Sequence, residues 1–107
     1  MILELVLFKF PPGLSAAAER EAARATVARW RANPDLVRKH YIRSDDGRAG
    51  GVYIWPSKAA AQAAHDAAWC ASVEQRTGSQ PTFQYFELTM LLDNEAGTVT
   101  EYPGLSG

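Results

Sequence analysis

Only one cysteine, Cys70, occurs in the 107 residues, so no disulfide can close within the chain and no thiolate cluster can hold a metal. Charge of a dominant sign is also missing. Eleven Lys and Arg stand against twelve Asp and Glu, which excludes the strongly basic surface of a dedicated nucleic-acid binder. No apolar run approaches the ~20 residues of a membrane span, and the N-terminus lacks a basic stretch leading into a cleavable apolar one. The two histidines, His40 and His65, are not at ligand spacing. A cytoplasmic protein is therefore expected, with no membrane, nucleic-acid or metal partner.

What is present reads as one domain, near the usual domain size, over residues 1–93, followed by a Gly- and Ser-rich tail over 94–107. Ile2–Phe10 is apolar apart from Glu4 and Lys9 and ends at Pro11-Pro12-Gly13, the pattern of a strand buried on both faces. Ser15 can cap a helix running to about Ala32, with Ala16, Ala23, Val27 and Trp30 on its apolar face and Arg20, Arg24 and Arg31 along its flank. Asn33-Pro34 stops it. Leu36–Arg43 reads as a more polar strand, and Ser44-Asp45-Asp46-Gly47 turns it into Gly50–Trp55. A second helix is expected over Ser57–Ala68 and a shorter one over Cys70–Thr77, ended by Gly78. Thr82–Leu92 is the last strand, again apolar on both alternating faces.

The resulting order, β-α-β-β-α-β, is the ferredoxin-like split arrangement of an α+β fold. Two helices can cover only one face of its four-stranded sheet, yet the first and last strands are apolar on both. Exposed apolar surface costs ~25 cal/mol per Å². The simplest cover is the same face of a second copy, so a homodimer is expected, the tail possessing the length to reach a neighbour.

Residues Gly50–Trp69, GGVYIWPSKAAAQAAHDAAW, carry the candidate chemistry. Tyr53 and Trp55 alternate to one face of the strand, either as core or as pocket walls with a hydroxyl for a ligand. The alanines that follow either bring helix and sheet close or leave an opening opposite the rings. His65 is the leading acid–base candidate; it sits at the edge of the stripe Lys58, Gln62, Asp66, where a surface or structural role competes. Trp69 can be lid or plug. Lys39 and His40 point to opposite faces; either one of them meets a cavity or an interface, or the pair keeps an edge strand soluble by charge. Glu4 is a base if buried, although its place near the strand end favours exposure. Gly50-Gly51 reads as a bulge or a close backbone contact, and Cys70 as a small buried hydrophobe.

The opening strand, Leu36–Tyr41 with Lys39, Gly50-Gly51-Val52-Tyr53-Ile54, Ala59–His65 followed by Trp69, and Phe83–Glu87 together resemble the YdhR-like monooxygenases of the dimeric α+β barrel superfamily, related to the antibiotic-biosynthesis monooxygenases. The resemblance implies oxygenation, without cofactor, of a small aromatic, phenolic or polyketide-like ligand. His65 would then be base or proton shuttle and Tyr53 an orienting donor, with Trp55, Trp69 and Phe8 as walls and Lys39 and His40 as further binding residues. The haem-degrading branch of the superfamily needs a first-strand asparagine and a histidine near the end of the second helical region; this chain has Phe8 and Lys9 in that strand, and His65 falls within the expected helix. Two other readings use the same pocket: a lyase, cyclase or isomerase, and a ligand-binding or stress-response module without turnover.

Overall fold

The computed structural model describes residues 1–103; the last part of the expected tail, 104–107, lies outside the described residues. Strand β1 (Ile2–Lys9) is central. It pairs antiparallel with β3 (Arg48–Trp55) on one side and β4 (Thr82–Glu87) on the other, and β2 (Arg38–Arg43) completes the order β2-β3-β1-β4. Opposite residues run Glu4 with Tyr53 and Tyr85, Val6 with Gly51 and Phe83, and Lys39 with Tyr53. Side chains alternate along a strand, so this register gathers Glu4, Val6, Phe8, Lys39, Tyr41, Tyr53, Trp55, Phe83 and Tyr85 on one face. The core lies there, around Val6, Trp30, Tyr53, Trp55, Ala61, Trp69 and Val73.

Both expected helical regions are divided. Ser15 caps α1 (Ala16–Arg24) by accepting the Ala18 N–H at 3.1 Å. The chain then kinks at Ala25-Thr26 before α2 (Val27–Arg31), where the Thr26 hydroxyl bonds back to the Ala23 carbonyl. Such back-bonding competes with the helical ladder and bends it. Likewise α3 (Lys58–Ala64) ends at His65, and Asp66 starts α4 (Ala67–Thr77) by accepting the Trp69 N–H at 2.8 Å. Gly78, at φ 75°, closes α4 in the left-handed conformation, as expected. The kink turns His65 inward, off the solvent stripe that an unbroken helix would give it.

The last strand is also divided. Pairing with β1 ends at Glu87, and Met90–Asp93 form β5, which leaves the sheet and pairs with β6 (Thr98–Glu101). Part of the segment expected as a tail is thus an arm. Its apolar side chains are exposed: Met90 56%, Leu92 66% and Val99 61%, with Phe86 at 51% on the neighbouring sheet face. The double glycine is a close backbone contact. A Cβ at Gly50 would lie 1.9 Å from the Val6 carbonyl oxygen, and no side chain fits there.

Candidate functional site

Between the helix α1–α2 layer and the β2–β3 side of the sheet lies a cavity of about 590 Å³, within the usual range for a small-molecule site. Ala16, Ala22, Ala23 and Ala25 form its roof; Phe8, Trp30, Tyr53 and Trp69 are its walls. The small side chains that open it belong to the first helical region. The alanine-rich α3 instead packs directly on the sheet, with Ala61 fully buried.

Lys39 enters this cavity from β2. Its Nζ stands 4.0 Å from the ring centre of Tyr41, 4.6 Å from that of Tyr53 and 4.7 Å from that of Trp30. Gly51 makes the room: a Cβ there would meet Lys39 Cε at 2.9 Å and Tyr53 Cε1 at 3.0 Å. Burial, reinforced by the guanidinium groups of Arg29 and Arg76, lowers the Lys39 ammonium to about 7. The three rings pull the other way, since a cation over an aromatic face is attracted. Each ring contributes about 0.5–2 kcal/mol, set against the desolvation and the two like charges that lower the amine. An amine that is half unprotonated near neutral pH can accept a proton or act as a nucleophile.

Tyr53 is nearly inaccessible at 2% exposure. Burial first, then the charge of Glu4, pushes its phenol well above the ordinary tyrosine range, so it keeps its proton and serves as a hydrogen-bond donor. At the cavity mouth the Tyr41 hydroxyl meets Thr26 Oγ1 at 2.8 Å. Thr26 already donates to Ala23, so Tyr41 donates and Thr26 accepts. Arg43 Nε pairs with Glu19 Oε2 at 2.6 Å beside it.

His65 does not line the cavity. Its ring packs edge-on against Trp69 at 4.4 Å and Tyr53 at 4.6 Å and tilts against Trp30 at 5.1 Å, and Phe83 closes the other side at 5.6 Å. Its Nδ1 lies 2.9 Å from Glu4 Oε1, both side chains having no exposed surface. Trp55 donates its indole N–H to the same oxygen at 2.9 Å. Glu4, expected at an exposed strand end, is therefore buried, with the Trp55 indole as the donor to its Oε1 and no hydrogen-bond partner on its Oε2 among the described residues. Tyr85 stands near it; burial and the Glu4 carboxylate push that phenol up to about 12.

Of the residues singled out from the sequence, Phe8, Lys39, Tyr53 and Trp69 share the cavity. Trp55 lies beneath it, fully buried and stacked on Tyr53 at 5.9 Å. His40 occupies the opposite sheet face with Val52 and Ile54. Cys70 is half-buried, not enclosed. The sequence reading places Trp30 on the apolar helix face and Arg20 on its flank, and it does not single out Arg29 or Arg76, which the structure brings to the mouth. The available signal was a lysine two residues before a tyrosine, and so on the same face of the strand as Tyr41.

No family model and no curated protein matches the chain. Solved structures do. An antibiotic biosynthesis monooxygenase superposes with a TM-score of 0.60 at 13% identity, over 83% of this chain and 99% of that one. A variant of MhuD with two manganese protoporphyrin IX molecules bound per active site gives 0.62 at 19% identity, over 87% and 99%. Rv0793 from Mycobacterium tuberculosis gives 0.58 at 15% identity, over 87% and 97%. At these identities the likeness speaks for architecture: the chain has the ferredoxin-like α+β fold that these structures share.

Proposed function

We propose that the protein is a monooxygenase of an electron-rich phenol, with Lys39 as the base and without a bound cofactor. The observation that carries this reading is the Lys39 amine, held between Trp30, Tyr41 and Tyr53 and lowered to about 7, at the wall of an apolar cavity. Lys39 takes the phenol proton. The phenolate gives one electron to dioxygen, and the resulting radical pair joins as a peroxide anion on a ring carbon. Loss of that carbon's hydrogen with cleavage of the O–O bond leaves a quinone and hydroxide, which the Lys39 ammonium neutralises to water. One oxygen atom enters the ring and the other leaves as water, so the electrons balance with dioxygen as the sole oxidant. Tyr53 would orient the phenol oxygen as a donor, and Trp30, Trp69 and Phe8 would hold the ring and exclude water.

This reading moves the base from His65 to Lys39, because a base must reach the proton that it abstracts. It keeps the reaction type that the YdhR-like resemblance implies, with Phe8, Tyr53 and Trp69 in the roles expected there. A metalloporphyrin, such as the manganese protoporphyrin IX of the MhuD variant, does not fit: the imidazole nearest the cavity lies behind Trp30, Tyr53 and Trp69, already beside Glu4. No step is routed through it. We also infer a homodimer joined through the Phe86 face and the β5–β6 arm, which leaves Met90, Leu92 and Val99 uncovered in one copy.

The test is oxygen uptake with a dihydroxynaphthalene. Quinone should form with one dioxygen consumed per turnover, and Lys39→Met should lower the rate at least ~100-fold, the low end for a lost general base. Lys39→Arg should not restore it, since a guanidinium stays charged. Uptake equal in wild type and Lys39→Met overturns the assignment. Product formed without oxygen consumption favours an isomerase or lyase, and tight binding without product a binding module.

A further inference from the structure

The cavity mouth is far more basic than the chain. Arg20, Arg29, Lys39, Arg43 and Arg76 line it, against a single carboxylate, Glu19, which Arg43 already occupies. Whole-chain net charge is −1. Among the described residues no carboxylate lies within ion-pair distance of Arg20, Arg29 or Arg76. The last two are also held in place. Arg76 donates through Nε to the Ser72 carbonyl at 3.3 Å, and the Arg29 guanidinium stands 5.3 Å from the Trp30 ring centre. A neutral phenol gains nothing from this arrangement. The cations repel one another until an anion joins them.

Resting on the phenol-oxygenase reading of the same cavity, we propose that the substrate is a hydroxyaryl carboxylate, whose carboxylate is selected by Arg29 and Arg76 while its phenol meets Lys39. A planar guanidinium matches a carboxylate through two parallel N–H donors, and the fused ring behind it meets Trp30 and Trp69. The charges have a second effect on the chemistry. Arg29 and Arg76 are the two groups whose fields, after burial, hold Lys39 down. A carboxylate between them cancels those fields, so the amine binds its proton more firmly once substrate is seated. The base is thereby strengthened when its proton donor arrives.

Binding is read by quenching of Trp30 and Trp69 fluorescence with four probes of one ring size: hydroxynaphthoate, naphthol, naphthyl phosphate and naphthylmethylamine. Hydroxynaphthoate should bind at least ~10-fold tighter than naphthol, the low end for charge-assisted bonds near solvent, and naphthylmethylamine weakest. Arg29→Gln with Arg76→Gln should abolish the preference and leave naphthol binding within about twofold. Arg24→Gln with Arg31→Gln, which removes the same two charges from α1 and α2 outside the cavity, should leave the preference intact. In kinetics Lys39 must shed its proton before it can act, so the acidic limb of kcat/KM should break near 7, and that of kcat at higher pH. Equal affinity for the naphthoate and naphthol, tighter binding of the phosphate, a preference that survives the double substitution, or no binding of any probe overturns the proposal. If the preference holds but no oxygen is consumed, the anion site stands and the oxygenase reading falls.

Discussion

Two nitrogen bases lie on either side of the same pair of rings. Trp30 and Tyr53 touch the Lys39 amine on the cavity side and the His65 imidazole on the core side. His65 has a carboxylate within 2.9 Å and no exposed surface; Lys39 has aromatic faces, two repelling guanidiniums and a cavity. The residue types alone favour the imidazole for acid–base work, because it titrates near neutral pH without help. Surroundings reverse the order. A closed, paired imidazole becomes a structural element, and a lysine that is partly desolvated and repelled becomes the group able to exchange protons.

The sharpest way to break this comparison is to remove the closed partner. His65→Leu leaves Glu4 buried with only the Trp55 indole and the Tyr85 phenol beside it and should cost about 3–5 kcal/mol in urea unfolding, whereas Glu4→Leu with His65→Leu should cost less than the sum of the single changes. An unchanged urea midpoint for His65→Leu would mean that the pair holds nothing together. Next in size is Gly51→Ala. Its methyl would press on Lys39 Cε and Tyr53 Cε1, an overpacking cost of about 1–3 kcal/mol, and should displace the amine enough to suppress its reaction with an acylating reagent at neutral pH.

The pH dependence of stability separates the two bases further. Lys39 is lowered in the folded state from 10.5 to about 7, so between those values the unfolded chain binds the extra proton. Stability should therefore rise with pH across that window, by at most ~1.4 kcal/mol per pH unit, relative to a Lys39→Met variant measured by urea unfolding at each pH. Parallel curves for the two proteins would show an ordinary, solvated lysine. The smallest effect belongs to the mouth. Tyr41→Phe removes the bond to Thr26 and should cost about 0.5–1.5 kcal/mol, with thermal unfolding as the readout.

Much of this was legible locally. The apolar run Ile2–Phe10 and the aromatic alternation Tyr53, Trp55 specify strands through the period of two, and Ser15 and Gly78 mark helix ends by capping chemistry. The breaks were harder. Nothing at Ala25-Thr26 or Leu88-Thr89 is a breaker by composition, and Asp66, an adequate cap, is hidden among alanines that favour continuing the helix. That hidden cap decided the fate of His65, since one unbroken helix and two short ones aim the residue at different places. Alternation announced that Lys39 and His40 face apart, but which one meets the cavity depends on Lys39 lying opposite Tyr53, a long-range register that no local pattern encodes.

The partition made by Trp30 also bears on how such a protein could change its chemistry. Replacing that indole by a small side chain would extend the cavity into the core, admit solvent to the His65–Glu4 pair, and offer an incoming molecule a second proton acceptor. A new reaction would then need no new catalytic group, only the loss of a wall.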